Sequence, residues 1–508
     1  MKTRLIALFL VLVMCLCALA SCGNGGEDVV TDGGDRGADG SWDSVDFGGQ
    51  TVRYCISINQ YEEATFPAGD IYTRGPDTAG SNEVAKEVIA RNNAASATLG
   101  INIEYSTRDI TYDKILEDVR SIVQTSSANS PDLYNNDING LSWSMLDGLL
   151  WNVKNPGEDI KNYFNFEAEG WYTEYIKGCT FDQEKYYIFA GDYFIDMIRM
   201  AWVVYVNHDI FNANLGKMPL WAKTLDEFYS FVEDGLWDMD MLKELASRVF
   251  VDSGLMGLTE RNDSVVGLST THLMHMVYPS ASGVTLYYLD KDNGYTPHVM
   301  SDIDTYQKLA NKFADLRATL GVFETAPTFQ GIQDVTLHFV EGNVLFATQR
   351  LGEMESTALR DFSAAKGLVP VPKWDQDIQD DYHTVVHNQA ELGCILNTAK
   401  AFSAASALMQ YLNENSGKVV NAYYEKGLKY KYNDDQNARK MMDIVRDSTD
   451  DPFSLTIGRL CEELYTGTSA LSGMDLRKGS TISSTFASEK DAYIDCMQKA
   501  IKKFSEMP

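Results

Sequence analysis

The chain has 508 residues, of which 44% are hydrophobic and 23% are charged, as is typical of a folded globular protein. Its 22 Phe, 27 Tyr and 8 Trp residues need a core, which excludes disorder along the whole length. The 43 basic and 72 acidic residues give a net charge of -29, so phosphate backbones are repelled and no nucleic-acid partner is expected. At roughly 150 residues per domain, the length predicts two or three domains.

The N-terminus has the pattern of an export signal. Lys2 and Arg4 precede a short apolar run that ends in Leu19-Ala20-Ser21-Cys22. The run is too short to span a bilayer, and small residues before a break are typical of a secretory signal. The ending also resembles a bacterial lipobox, which implies a lipoprotein signal peptide over 1–21, cleavage before Cys22 and acylation of Cys22, for example with palmitate. An ordinary signal peptide that happens to contain this cysteine is the alternative.

Lipidation predicts the location of the protein: two acyl chains would anchor it to the cell membrane on the extracytoplasmic face. Residues 22–48 are rich in Gly and Asp, which predicts a flexible acidic linker after the lipidated cysteine. Five scattered cysteines follow, so a disulfide scaffold is not expected, although one or two bridges are compatible with the sequence. They are Cys55, Cys179, Cys394, Cys461 and Cys496.

Strands and helices alternate through the first part of the body. Alternating apolar residues predict a strand over Thr51–Ile58, and a helix over Asn82–Leu99 is stopped by a glycine. A second strand begins at Ile101, a helix covers Tyr112–Thr125, and the short strand Pro131–Tyr134 runs into a polar loop. This alternation predicts an α/β fold with a parallel sheet.

The same alternation continues to the C-terminus. Thr224 and Glu227 form the capping box of a predicted helix, and Asp302–Leu320 is a long amphipathic helix. Further helices are expected over Ala399–Asn413 and after Gln436. The predicted strands are Tyr186–Ala190, Val203–Asn207, Val284–Leu289, Tyr295–Met300, Val344–Ala347, Leu368–Val371 and Cys394–Leu396, with an Asn-Gly hairpin between the third and fourth of them.

Two motifs could hold a metal ion, and neither is complete. His272 and His275 share a helix face, but the usual third ligand and a general-base Glu are missing. The run from Asp290 through Asp292 and Asn293 to Gly294 resembles a calcium loop, but its glycine comes one position early and its terminal Glu is absent. Partly buried histidines and a hairpin tip are therefore expected, with no metal and no cofactor.

Polar and aromatic side chains gather after several predicted strands. In open α/β sheets, ligands lie beyond the carboxyl ends of strands. Amides and carboxylates can pair with hydroxyls there, while aromatic faces cover apolar ring surface, although each tryptophan could equally be a core residue. Motifs of serine hydrolases, phosphate loops and zinc proteases are absent, so no enzyme is predicted. A glycosidase carboxylate pair cannot be told from surface acids by sequence.

Several segments resemble the extracellular solute-binding lipoproteins of bacterial ABC importers, in the carbohydrate-binding class that includes maltose-binding protein. Each segment is a weak motif, and the resemblance depends on their order and spacing. The chain departs from the family by extra sequence around 155–185 and 235–300. The matching segments are Ser130-Pro-Asp-Leu, Leu146-Asp-Gly-Leu-Leu150, Tyr205-Val-Asn-His-Asp-Ile-Phe211, Leu225-Asp-Glu-Phe228, Glu341-Gly-Asn-Val-Leu-Phe-Ala347 and Gly367-Leu-Val-Pro-Val-Pro-Lys373.

The resemblance implies a type II periplasmic-binding-protein-like α/β fold, with two α/β lobes joined by crossover segments around a ligand cleft. One lobe is expected over 49–196 and about 386–440, and the other over 197–385 and about 441–508. By the same implication, hinge closure captures a carbohydrate, expected to be an oligosaccharide, and ABC importer permease subunits receive it. A monomer without catalytic residues is expected.

The family's ligand loops can be matched onto this sequence residue by residue. The loop after Ala347 has no Trp or Tyr, so stacking on a sugar is expected from Trp143, Tyr193 or Trp374 instead. Arg350, with Arg199, could signal an anionic group, which leaves a binding protein for a peptide or acidic sugar as one alternative and a cell-surface glycan-active hydrolase as another. The implied ligand-binding residues are Asn59, Gln60, Tyr61, Asn135, Asn136, Asp137, Asn139, Trp143, Asp192, Tyr193, Trp202, Thr348, Gln349 and Arg350.

Overall fold

A computed structural model describes residues 32–58, 70–76, 82–254, 257–429, 436–461 and 474–508. No helix within these ranges is long and apolar enough to cross a membrane. The predicted signal peptide, the lipidation site at Cys22, and the predicted ligand residues Asn59, Gln60 and Tyr61 lie outside the described residues.

Strands and helices alternate along the described chain, as the sequence predicts. The strands are β1 (Gln50–Ile58), β2 (Ile101–Asp109), β3 (Leu133–Asp137), β4 (Trp202–Asn207), β5 (Val266–Thr270), β6 (Tyr287–Asp290), β7 (Thr296–Val299), β8 (Val322–Glu324), β9 (Val344–Arg350), β10 (Lys366–Pro370) and β11 (Glu391–Ile395).

Local sequence signals set several helix ends. The Asn82 side chain caps the N-terminus of α2, Gly100 ends that helix in a left-handed conformation, and Thr224 forms the predicted capping box of α8 with Glu227. The helices are α1 (Asp70–Thr73), α2 (Glu83–Leu99), α3 (Ile115–Thr125), α4 (Ile138–Leu146), α5 (Thr173–Lys177), α6 (Asp196–Arg199), α7 (His208–Ala213), α8 (Leu225–Glu233), α9 (Met239–Val249), α10 (Met274–Ala281), α11 (Ile303–Ala318), α12 (Phe329–Val340), α13 (Thr357–Asp361), α14 (Phe402–Glu414), α15 (Gly417–Lys429), α16 (Gln436–Asp447), α17 (Phe453–Cys461) and α18 (Ile482–Ser505).

The first sheet has the strand order β11-β3-β1-β2. β1 runs parallel to β2 and β3, whereas β11 is antiparallel to β3. The side chains of Val52, Tyr54 and Ile56 on β1 are fully buried, and α14 packs against both β1 and α2. We call this sheet, with α1, α2, α14 and α15, the first lobe.

The second sheet has the strand order β10-β4-β9-β5-β8. β4 is antiparallel to β10 and β9, and β5 is parallel to β9 and β8. α9 packs on β5, α11 on β8, α12 on β9 and α16 on β10. We call this sheet, with these four helices, the second lobe.

Three chain segments run side by side where the lobes adjoin. The backbone N–H of Trp202 donates to the carbonyl of Val385 at 2.9 Å, and that of His387 donates to Met200 at 2.8 Å. The third segment joins through Thr384, whose N–H donates to Ser448 at 2.7 Å. The C-terminal helices α17 and α18 both contact α4 and the β6–β7 hairpin. α18 also contacts α11.

Several sequence-based expectations differ from the structure. The polar loops predicted after Tyr134 and after Ala347 do not begin there, because β3 continues to Asp137 and β9 to Arg350. Tyr186–Ala190 forms no strand but a buried segment with a single bridge from Phe189 to Gly393, because aromatic packing rather than a ladder covers it. The sheets are mixed rather than parallel, because β11 in the first sheet and β4 in the second run opposite to the other strands. The predicted linker ends earlier than residue 48, because Trp42 and Phe47 are buried against Tyr163.

Candidate functional site

The C-terminal end of β3 leads directly into α4, and together they carry five of the predicted ligand residues: Asn135, Asn136, Asp137, Asn139 and Trp143. The Asp137 carboxylate caps α4 by accepting the backbone N–H groups of Asn139 at 3.0 Å and Gly140 at 3.1 Å. Asn136 accepts the N–H of Asp137 at 2.7 Å and donates to the Tyr134 hydroxyl at 3.3 Å. Asp137 and Asn136 therefore hold the shape of this turn.

Three other polar atoms at the same place lack hydrogen-bond partners among the described residues. They are Asn135 Nδ2, Asn139 Oδ1 and Trp143 Nε1. Asn135 is 1% exposed and Asn139 is 4% exposed. Asn139 and Trp143 are four positions apart, so they share one face of α4. These atoms comprise two donors and one acceptor, and a buried polar group without a partner costs about 1–3 kcal/mol. We call this set the amide site.

A buried polar cluster joins the two lobes at the crossover segments. Glu355, in the turn after β9, accepts the Arg199 Nε–H at 3.0 Å and the Tyr423 hydroxyl at 2.7 Å, and it also accepts the Tyr72 hydroxyl. Arg199 donates to Asp196 at 2.6 Å. Tyr72 and Tyr423 come from the first lobe, whereas Glu355 follows a strand of the second. We call these five residues the junction cluster.

The junction cluster pairs one guanidinium with two carboxylates. Burial alone lowers the pKa of Arg199, but the carboxylates of Glu355 and Asp196 hold it well above its usual range. Burial and then the charge of Glu355 raise the pKa of both Tyr72 and Tyr423 well above the usual range. Both hydroxyls therefore stay protonated at neutral pH, as donors to the carboxylate. Sequence reasoning noticed only Arg199 of this cluster.

The three predicted residues at the end of β9 make contacts within the second lobe. Thr348 Oγ1 lies 2.7 Å from the hydroxyl oxygen of Thr270, and Gln349 donates to the Ile332 carbonyl at 2.8 Å. Arg350 Nη2 lies 3.0 Å from Glu353 Oε1 and only 4% of the residue is exposed. The Arg350 charge is thus already balanced by a neighbouring carboxylate.

The remaining predicted ligand residues lie in the packed crossover region. The Asp192 carboxylate pairs with Arg446 and is buried. Tyr193 and Trp202 are 0% and 1% exposed, and Trp374 is also buried. Trp202 lines a cavity together with Val277 and Val386, and the contacts of these aromatic rings with a ligand stay predictions.

The two incomplete metal motifs have structural contacts. The His272 and His275 rings are stacked with centroids 6.5 Å apart, and His275 Nε2 lies 3.5 Å from Asp475. Asp290 caps the predicted hairpin tip, where Gly294 is left-handed. In the part of the chain that the structure describes, no group of three or more His, Cys, Asp or Glu side chains could hold a metal ion. Cys55, Cys179 and Cys394 are free and buried, whereas Cys496 is disulfide-bonded.

Known proteins match this chain in structure but not in sequence. No protein-family model and no curated protein matches the sequence. An ABC substrate-binding protein from Listeria monocytogenes, solved in complex with cycloalternan, has a TM-score of 0.50 at 13% identity, and the match covers 88% of this chain and 99% of that one. The GacH receptor of Streptomyces glaucescens, solved with acarbose, has a TM-score of 0.48 at 11% identity over 90% of this chain and 99% of that one.

The structural neighbours are sugar-binding proteins of ABC importers, the class that the sequence motifs resemble. At 13% identity, the likeness to the Listeria protein establishes the fold alone. The chain therefore has the type II periplasmic-binding-protein-like fold, as the sequence predicted.

Proposed function

We propose that this protein is a lipid-anchored, extracytoplasmic solute-binding protein, which captures a carbohydrate between its lobes and delivers it to the permease of an ABC importer. The observation that carries the proposal is the amide site, a set of unpaired polar atoms on a fold whose neighbours bind sugars. The signal peptide over 1–21 and the anchor at Cys22 enter the proposal from the sequence. The protein acts as a monomer and breaks no bond in its ligand.

The chemistry of the amide site favours a neutral, hydroxyl-bearing ligand. A sugar hydroxyl both donates and accepts, so it can pair with the Asn139 oxygen and with the N–H groups of Asn135 and Trp143. An acidic sugar or a peptide carboxylate would need a free cation. Arg350, the residue that suggested an anionic ligand, is neutralised by Glu353. A neutral oligosaccharide is therefore the preferred ligand class.

Capture would work through differential contacts in two conformations. A ligand shifts the lobes toward the closed state only by as much as it binds that state better. The amide site would hold the ligand on the first half of the chain, and groups of the second lobe would complete the contacts on closure. The three adjoining crossover segments are the hinge in this proposal.

A binding screen tests the proposal. The full chain carrying Cys22→Ser would be titrated by calorimetry with neutral oligosaccharides such as maltotetraose and mannotriose, with uronic acids and with short peptides. A neutral sugar that binds and is recovered unchanged by mass spectrometry supports the proposal. Recovery of cleaved sugar would favour the hydrolase, and binding of uronic acids or peptides alone would overturn the ligand class.

A substitution locates the site. Asn139→Ala should weaken the affinity for the bound sugar about tenfold, because a hydrogen bond to a hydroxyl is lost in a buried setting. The free energy of unfolding of the unliganded protein should not fall, since Asn139 Oδ1 has no partner to lose. Asn129→Ala, at an exposed loop asparagine, is the control. Equal affinities of the two variants would place the ligand elsewhere.

A further inference from the structure

One atom of the Asn135 side chain is paired within the protein and the other is not. Asn135 Oδ1 accepts the Tyr54 hydroxyl at 2.8 Å, whereas Asn135 Nδ2 has no partner among the described residues. Tyr54 lies on β1 and is 0% exposed. A buried residue of the neighbouring strand therefore holds the oxygen of the amide and leaves its nitrogen for a ligand.

The register of the first sheet brings Tyr54 and Asn135 to the same face. β1 and β3 are parallel, Ile56 is the partner of Asn135, and Tyr54 comes two positions before Ile56. Side chains alternate between the two faces of a strand, so Tyr54, Ile56 and Asn135 lie on one face. The Tyr54 hydroxyl reaches along this face to the amide at the end of β3.

Aromatic rings enclose the Asn135 amide from the direction of β11. Gly393 is the partner of Asn135 on that strand. A Cβ atom at Gly393 would clash with the Phe189 ring and would lie 2.6 Å from the Tyr193 hydroxyl oxygen. These two rings occupy the space that a side chain would fill. Asn135 is 1% exposed as a result, so its amide cannot turn to bulk water for other partners.

The Tyr54 hydroxyl favours one orientation of this amide. Burial raises the pKa of Tyr54 well above its usual range, so the hydroxyl stays protonated at neutral pH. Within the described chain, Asn135 Oδ1 is its acceptor. If the amide rotated, the hydroxyl could accept from Nδ2, but its own hydrogen would be buried without an acceptor, which is unfavourable. The amide is therefore held with Nδ2 turned away from Tyr54.

We propose that Tyr54 is a positioning residue that fixes the polarity of the amide site. It makes position 135 a hydrogen-bond donor, so a ligand oxygen is recognised there as an acceptor. Asn139 Oδ1 has the opposite polarity and needs a hydroxyl hydrogen. The site thus distinguishes two hydroxyls of a sugar by their roles. The ligand's part of this inference rests on the proposed function, whereas the bond between Tyr54 and Asn135 does not.

The first test needs no ligand. Tyr54→Phe, Asn135→Leu and the double variant would be unfolded in urea, in the full chain carrying Cys22→Ser. Each single substitution removes the same hydrogen bond, so the two losses should overlap in the double variant. We expect its equilibrium constant for unfolding to be about fivefold smaller than the two single effects together predict, the size of one neutral hydrogen bond.

The second test measures affinity for maltotetraose and mannotriose by calorimetry. With a sugar that binds, Tyr54→Phe should weaken the affinity about fivefold, because the amide is no longer held as a donor. Tyr382→Phe is the matched control, since the buried Tyr382 hydroxyl donates to the Val232 carbonyl at 2.8 Å. The control loses a bond of the same length away from the amide site, so its affinity should equal that of the wild-type protein.

Deoxy and deoxyfluoro analogues of the same sugar measure the polarity. A fluorine can still accept weakly from an N–H group, whereas a hydrogen in its place cannot. One hydroxyl position should therefore lose less affinity with fluorine than with hydrogen, and Asn135→Leu should abolish that difference. Tyr54→Phe should reduce the difference at the same position, which a general loss of stability would not do.

Three results would overturn the role of Tyr54. The unfolding losses of Tyr54→Phe and Asn135→Leu would add independently, Tyr54→Phe would bind the sugar as tightly as Tyr382→Phe does, or Tyr54→Phe would weaken all analogues by the same factor. If no compound of the panel binds to the wild-type protein, the proposed function fails. The unfolding measurements then still decide whether Tyr54 holds the amide.

Discussion

Replacing Glu355 by Gln tests the junction cluster. Gln keeps the size of the side chain and one oxygen that can accept the Arg199 and Tyr423 hydrogen bonds, but it removes the negative charge. Loss of one partner from a buried ion pair costs about 3–5 kcal/mol. Asp196 still pairs with Arg199 in this variant, and the amide preserves part of the hydrogen bonding, so we expect the free energy of unfolding to fall by about 1–3 kcal/mol.

A second substitution separates the hydroxyl bonds from the charge. Tyr423→Phe removes one hydrogen bond to a charged acceptor, which corresponds to about 1.5–3 kcal/mol. Both substitutions act through the same carboxylate, so the double variant should lose less than the sum of the two single losses. Urea unfolding, followed by far-ultraviolet circular dichroism and tryptophan fluorescence, measures each free energy, and equal m-values show that the denatured state has not changed.

Glu341→Gln is a matched control, since Glu341 pairs with Arg261 at 2.6 Å but its side chain is 48% exposed. An exposed pair is worth about 0–1 kcal/mol, so this variant should unfold near the wild-type midpoint. If Glu355→Gln also stayed within about 0.5 kcal/mol of the wild-type protein, the reasoning that a compensated buried charge supports the lobe junction would be refuted.

Three further predictions concern stability. Burial lowers the pKa of His338 from 6.5 to about 4, so between these pH values the unfolded chain binds a proton that the folded chain does not. The free energy of unfolding should therefore fall by roughly 3 kcal/mol as the pH drops from 6.5 to 4. Over the same pH range, the urea midpoint of His338→Gln should fall less than that of the wild-type protein. In Gly267→Ala the new Cβ would lie 2.1 Å from the Ala246 carbonyl oxygen, so the melting temperature should drop by an amount equivalent to about 1–3 kcal/mol. In the control Gly216→Ala the new Cβ meets no atom within 4 Å, so this variant should have the melting temperature of the wild-type protein. Thr224→Ala removes a helix cap and should cost about 1 kcal/mol in the same thermal assay; an unchanged melting temperature would contradict the assigned cap.

The fold class could be predicted because its signals are local and ordered. The glycine stop after Leu99, the capping box at Thr224 and the hairpin at Gly294 each depend on a few adjacent residues, and the structure confirms all three. Strand direction could not be predicted in this way. β11 pairs with β3, which lies far earlier in the sequence. The alternation of strands and helices does not show whether such a distant strand joins the sheet in the parallel or the antiparallel direction.

The amide site was accessible to sequence reasoning because Asn135 lies at the end of a buried strand and Asn139 directly after it, where open α/β sheets place their ligands. The junction cluster was not accessible. Tyr72 and Glu355 are 283 positions apart, and nothing near either residue indicates a partner. A buried charge has no local signature, since Glu355 lies in a run that is as compatible with the surface as with the core.

The position of β11 in the first sheet has a consequence for the newly made chain. The Cys394 thiol contacts the Tyr134 carbonyl 260 positions earlier, so β3 can gain its outer neighbour only after more than half of the protein has been synthesised. Until then one edge of β3 is unpaired, and such an edge is a template for pairing with other chains. Contacts of such long range also make folding slow. The first lobe can therefore be completed only late in synthesis, although its sequence comes first.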